Sequence, residues 1–290
     1  MIETQLKGQF PAGFRATERI NLSELMRNAK GPPPPQNPPT RIENARLLQA
    51  GATSEADFLA EHGFVLLKAP TRVTDWSDAD QVASLYLPEV ETMIRERLYP
   101  GRPLMIRQPP GVMRRGEGTT TPQYGLGVHS DHGTSADDFQ RNVEAFTSPE
   151  IGAQWRAGFD REEVQEFVAL DFWRPTNMAG PLKHMPLALC DPTSIDQADI
   201  IATALEGIAP GGALTYHVSL AHNKSQRWYY YPDMTADEVL VFKLFQLNKD
   251  EPSQPYRACF HTAFEDPTTP ADAQPRQSCE HRVSVMLLRD

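Results

Sequence analysis

The sequence is short of cysteine, of long apolar runs and of positive charge, and each shortage closes off a class of protein. Three cysteines, Cys190, Cys259 and Cys279, are too few and too scattered for a disulfide framework. They read as buried free thiols in a reducing compartment. No apolar stretch approaches the ~18 residues that a membrane span needs. The start, MIETQLKGQF, has neither a basic n-region nor an apolar h-region, so no signal peptide is visible. A cytoplasmic protein without a membrane partner is the expectation. The formal net charge of −10 argues against nucleic acid as a partner, because a polyanion needs clustered Lys and Arg. No internal repeat is present.

What is there suffices for a real core: hydrophobic residues make up 40% of the 290, and aromatics 9%. Residues 1–39 read as an N-terminal arm. Within it, PPPPQNPP (residues 32–39) has no helix or strand capacity and reads as a polyproline II spacer. Residues 40–290 read as one domain. Ser54 can cap a short helix, Phe64–Leu67 can form a buried strand, and a longer helical stretch starts at Ser77. Beyond residue 100 the pattern changes to short strands. Leu104–Arg107 and Gly125–His129 come first, and a helical insert over about 134–167 follows. Then come Val168–Trp173, Pro186–Leu189, Leu214–Ser219, Arg227–Tyr231, Val239–Leu247, Tyr256–His261 and Cys279–Leu288. Short strands separated by Gly, Pro and Asp turns predict an α+β, mainly β fold. Its core would be a double-stranded β-helix of the jelly-roll or cupin kind, with helices from the N-terminal part packed on it and one helical insert.

Within this frame, His129 and Asp131 are two residues apart and share one face of an extended segment, while Ser130 faces away. His261 is the third candidate ligand. Two histidines and one carboxylate on one face of a metal leave three positions open, as a mononuclear iron oxygenase using 2-oxoglutarate and dioxygen would need. His132 points to the other face and reads as a structural or supporting residue. A binuclear hydrolase would need a histidine where Gly127 stands. His184, His217, His222 and His281 lack partner spacing, and His62 reads as a helix-end residue.

Arg276 and Ser278 follow His261 by 15 and 17 residues and offer a guanidinium and a hydroxyl, a natural clamp for the far carboxylate of 2-oxoglutarate. Glu280 and Arg282 would continue that face. Arg282 is the alternative anchor, with Glu280 as its ion-pair partner. Arg174, Tyr229, Lys243 and Arg282 are further candidates for contact with substrate or with the ligands. Asp171, beside Arg174 in LDFWRP, is left open in the same way.

With these segments on view, VHSDHG, DFWRP, PLALCD, QRWYYYPDMTADEVLVFKLFQ, HTAFEDPTTP and PRQSCEHR, the chain resembles the CmcJ/AsaB-type hydroxylase/desaturase family of non-heme iron oxygenases. The resemblance runs from about residue 128 to the end and more weakly through the first half. It implies a double-stranded β-helix, iron(II) and 2-oxoglutarate with dioxygen as co-substrate, and a small-molecule, secondary-metabolite substrate that is hydroxylated or desaturated. It places His129, Asp131 and His261 as metal ligands and Arg276 as the oxo-acid anchor. Two rival readings remain: a cupin-like metal-dependent isomerase or hydrolase that does not use 2-oxoglutarate, and a non-catalytic scaffold that binds through its proline-rich arm.

Overall fold

The computed structural model describes residues 1–29 and 36–290. Strands dominate it and helices are fewer, in line with a mainly β reading. The largest sheet is antiparallel. In spatial order it contains Phe64–Lys68, Glu238–Asn248, Val164–Pro175, Ser278–Leu288 and Leu104–Arg107, and Met113–Arg115 also pairs with Ser278–Leu288. Its central strands are buried along most of their length because both faces are covered, which explains continuous apolar runs such as FVALDFW where a half-exposed strand would alternate.

One face meets the helical run from Ala79 to Leu98: Tyr86 packs edge-on against His281 at 6.0 Å, and Arg174 lies over the Tyr86 ring. Pro88 does not end this run. The turn before it is π-type, with the Leu87 N–H donating to the Val82 carbonyl, so the missing proline donor falls at the first turn of the segment that follows. The expected helical insert is two helices, Ala136–Phe146 and Pro149–Phe159, each capped by a serine side chain (Ser135 and Ser148). They pack on the other face, where Phe139 stacks on Phe245 and meets Phe167 edge-on. Ser54 caps the helix Glu55–His62 as expected, and Gly63 ends it in the left-handed conformation.

Two smaller sheets complete the fold. One runs Ile2–Thr4, Thr40–Asn44, Trp228–Tyr230, Leu187–Cys190 and His261–Ala263; the other runs Thr215–Leu220, Ile200–Leu205 and Ile20–Asn21. The chain at His129 and Ser130 stitches them together. His129 exchanges both backbone hydrogen bonds with His261 (3.3 and 3.0 Å), and Ser130 does the same with Val218 (2.9 and 3.1 Å). The segment expected as a strand over Gly125–His129 is therefore reduced to single bridges at a seam. Tyr256–Phe260 likewise carries no regular strand, which begins only at His261.

The N-terminal residues press on this seam. Val128 N–H donates to the Lys7 carbonyl at 2.8 Å, and a Cβ on Gly8 would lie 2.7 Å from the Gly127 Cα, so only glycine fits there. Of the expected polyproline spacer, residues 32–35 lie outside the described residues, and residues 36–39 have neither helix nor strand. Among the described residues, no helix is long and apolar enough to cross a membrane.

Candidate active site

A cavity with an empty volume of about 380 Å³, partly open to solvent, lies between the large sheet and the seam. Asp171 and Trp173 from Val164–Pro175, Phe242 from Glu238–Asn248, and Glu280 and Arg282 from Ser278–Leu288 form its large-sheet wall. Opposite stand His129, His261, Ala263 and Leu187, with Arg276 and Arg115 also on the lining.

Strand pairing brings the two histidines together. His129 and His261 are direct cross-strand partners, and their rings are 4.5 Å apart. Each ring is oriented by a backbone carbonyl two residues earlier: the Nδ1 of His129 is 2.6 Å from the Gly127 oxygen, and that of His261 is 3.1 Å from the Cys259 oxygen. A carbonyl can only accept, so each Nδ1 carries a proton; the Nε2 of His261 keeps a free lone pair, and that of His129 faces the Asp131 carboxylate. The Nε2 of His129 is 3.2 Å from Asp131 Oδ1. Ligand atoms of His129, Asp131 and His261 all lie within 4.8 Å of one another.

The charge states suit a cation. Burial pushes the Asp131 carboxyl up, but the Arg282 guanidinium and the His129 ring outweigh it and hold the group well below the usual carboxylate range. Burial and the neighbouring His129 lower His261 to about 4, so it is neutral at physiological pH. His129 is also buried, yet its bond to Asp131 raises it overall. Asp131 Oδ2 is buried and, although 2.9 Å from the Arg282 guanidinium, has no aligned hydrogen-bond donor. Two imidazole nitrogens turned to one point and a carboxylate with an orphaned oxygen are a donor set that fits iron(II), which would compete with the proton that His129 shares with Asp131.

Arg276 has an unusual environment. It is 1% exposed, lies over the Tyr124 ring at 4.3 Å and near Trp173, and donates from one terminal nitrogen to the Met185 carbonyl. Its Nε has no partner, and among the described residues no carboxylate forms an ion pair with it. Burial lowers its pKa to about 10. Its backbone is fixed by the Tyr124 hydroxyl, which donates to the Arg276 carbonyl at 2.8 Å, and by His184 Nδ1, which accepts from the Arg276 N–H. A buried guanidinium without a counter-ion, facing a cavity, is a receptor for an anion. Ser278 is fully buried with an unpartnered Oγ, and it is not on the cavity lining.

Three of the four further candidates do not reach the cavity. Arg174 falls on the opposite side of its strand from Asp171 and Trp173, donates to the carbonyls of Ala69 and Ala236, and lies over Trp76 and Tyr86. Tyr229 packs its ring 6.0 Å from Phe64, two strands from His261 in the sheet. Lys243 precedes a bulge in its strand and bonds Gln246 Oε1 at 3.1 Å; burial lowers it to about 8. Arg282 does line the cavity, between Asp131 Oδ2 at 2.9 Å and Glu280 Oε2 at 3.1 Å. His132 is excluded from the cluster and sits against Phe139, ring centroids 4.5 Å apart. Residues not singled out in the sequence are Arg115, Tyr124, Trp173 and Phe242. Only Trp173 had a usable signal, the two-residue step from Asp171.

With the geometry described, the relatives can be placed beside it. A family model described as "YDMC: Oxidoreductase/YMDC permease-like domain" matches residues 26–286. The chain is 35% identical over 118 residues to aspirochlorine biosynthesis protein N of Aspergillus oryzae, a match covering 40% of this chain and 46% of that relative. It is 25% identical over 251 residues, 83% of each protein, to the alpha-ketoglutarate-dependent dioxygenase phiK of a fungal species. Its fold is that of the solved iron and alpha-ketoglutarate-dependent endoperoxidase NvfI, with a TM-score of 0.67, 21% identity, and 99% of this chain and 98% of that chain covered. Relatives named hydroxylase/desaturase and Fe(II)/2-oxoglutarate-dependent dioxygenase bear out the resemblance drawn from the sequence. The chain belongs to the YDMC oxidoreductase/YMDC permease-like domain family, and its relatives include proteins named as 2-oxoglutarate-dependent dioxygenases.

Proposed function

We propose that this chain is an iron(II)- and 2-oxoglutarate-dependent oxygenase that hydroxylates or desaturates a small-molecule secondary metabolite, with release of succinate and carbon dioxide. His129, Asp131 and His261 are the metal ligands, and Arg276 anchors the distal carboxylate of the oxo-acid; Ser278, expected beside it, lies behind the lining. The observation that carries this reading is a convergent His, Asp and His set whose two histidines line the same cavity as a buried arginine without a counter-ion. A metal alone would be met by the triad; the arginine calls for a dianion beside it.

When bound, iron and 2-oxoglutarate supply the oxidising chemistry with dioxygen. The protein's part is to orient and to exclude water. The Gly127 and Cys259 carbonyls keep both Nε2 atoms turned inward. Tyr124 and Trp173 fix the plane of the Arg276 guanidinium, so a carboxylate meets a preset fork. Leu187, Phe242 and Ala263 give the cavity apolar walls on which a hydrocarbon portion of substrate can rest. In fold terms, the two walls are read as the halves of a double-stranded β-helix. Residues 40–290 are read as the oxygenase domain, with residues 1–39 as an arm that joins its edge, in a cytoplasmic protein.

The test is formation of succinate by purified protein with candidate small molecules. Dependence on iron, oxygen and 2-oxoglutarate, lost in Asp131→Ala, is expected. Turnover of a substrate by the metal-loaded protein without oxygen or 2-oxoglutarate would favour the isomerase or hydrolase reading instead.

A further inference from the structure

We propose that Arg282 is a positioning residue that gives two neighbouring carboxylates different roles, turning Asp131 toward the histidines and keeping Glu280 away from the metal. This rests on the iron-site reading above. One terminal nitrogen of Arg282 lies 2.9 Å from Asp131 Oδ2 and 3.1 Å from Glu280 Oε2. On its far side Glu280 is gripped again, by the Nε of Arg115. The order along the cavity wall is thus acid, arginine, acid, arginine. Strand register sets it: Arg282 lies opposite Asp171 and Glu280 opposite Trp173, so both charged side chains fall on the cavity face.

Asp131 and Glu280 are each 8% exposed and line or abut the same small space. Without a cation between them, two buried carboxylates repel, and either can turn to an incoming metal. Glutamate has the longer side chain and two oxygens to offer. A ligand set of two histidines and one carboxylate that leaves positions open therefore requires the second acid to be restrained. Arg282 does this without entering the ligand set. Its pull on Asp131 Oδ2 leaves Oδ1, 3.2 Å from His129 Nε2, as the oxygen presented inward. The planar guanidinium fixes the one nitrogen that meets both acids, where a lysine would offer a rotating point charge.

Cobalt(II) serves as the probe, since its visible spectrum reports the number and type of donors without turnover. Titrations compare the unmodified protein with Arg282→Gln, Glu280→Gln and the double variant, each checked for fold by circular dichroism. Arg282→Gln is expected to lower cobalt affinity by about 10- to 100-fold, as for other residues that support a ligand. Its spectrum should show an added oxygen donor. The double variant should regain the original spectral shape while remaining weak, and Glu280→Gln alone should keep both shape and affinity. Should Arg282→Gln fail to fold, Arg282→Lys is read in its place, with the same added donor and a smaller loss of affinity. An unchanged spectrum and affinity in Arg282→Gln, or in the lysine variant where that replaces it, overturns the proposal. So does a double variant that keeps the altered spectrum. Absence of cobalt binding by the unmodified protein overturns the metal-site reading itself.

Discussion

Strand Val164–Pro175 and the segment leading into strand Ser278–Leu288 carry two contrasting solutions to the burial of charge. Toward the helical run, Arg174 is 1% exposed, but two backbone carbonyls accept from its guanidinium and two aromatic rings flank it. Toward the cavity, Arg276 is equally buried and also flanked by two rings, yet it has one carbonyl and no counter-ion. Asp171, three residues before Arg174, is on the cavity side; burial and the nearby Glu280 hold its carboxyl well above the usual range. The first face meets more of its charge internally, with two carbonyls on one guanidinium, although Arg174 Nε and the Tyr86 hydroxyl have no partner. The second leaves more of it unmet, which is costly for an empty core and useful for a site that receives charged ligands. Type and burial therefore do not separate a structural arginine from a functional one; a place on the cavity lining does.

The comparison can be broken most severely at the triad. Asp131→Ala and His261→Ala are each expected to abolish iron-dependent succinate formation and to weaken metal binding by more than about 100-fold, measured by metal titration. Next come the two arginines. Arg276→Ala should cost about 2–5 kcal/mol of oxo-acid binding, a rise of at least ~30-fold in the 2-oxoglutarate KM, with little loss of thermal stability. Arg174→Ala should do the reverse, lowering stability by about 2–4 kcal/mol in denaturant unfolding and leaving the KM nearly unchanged. A KM effect from Arg174, or none from Arg276, would erase the distinction between the faces.

Acid sharpens it further. Burial lowers His132 to about 3 and His261, His217 and His281 to about 4, all from 6.5. In that window the unfolded chain binds more protons than the folded one. Stability is thus intact above about pH 6.5 and is lost progressively as pH falls toward 4. Metal-free protein should show a falling unfolding midpoint over that range; bound metal should raise the midpoint, by an amount that shrinks as pH falls because protons compete for the same ligands. The smallest effects belong to Tyr229→Phe and Lys243→Met, which lie away from the cavity and should alter the 2-oxoglutarate KM by less than about two-fold in the same assay.

How far the sequence could be read follows from which interactions are local. Ser54, the Phe64 strand and the Leu104–Arg107 strand carry their own signals in caps and apolar patterns, and they stand where expected. The His-x-Asp step and the 278, 280, 282 alternation were legible because a strand repeats every two residues. The helical stretch from Ser77 runs through Pro88, which a π-turn before it accommodates. Ile2–Thr4, Ile20–Asn21 and Thr40–Asn44 are too short to show a period, and they exist through partners distant in sequence. Arg174 and Lys243 looked like site residues by type. Their facing is set by strand parity and by a bulge, and neither is written in residue type alone. Tyr124, beneath Arg276, carried no signal, because it lies in an irregular segment 152 residues away.

Anaerobic titration of the iron(II)-loaded protein with 2-oxoglutarate, followed by the visible charge-transfer band that forms when an oxo-acid chelates ferrous iron, tests the central claim most directly. The account predicts a saturating band in the unmodified protein, none in Asp131→Ala, and in Arg276→Ala a band that needs at least ~30-fold more 2-oxoglutarate. No band in the unmodified protein, or the same half-saturation in Arg276→Ala, would contradict it.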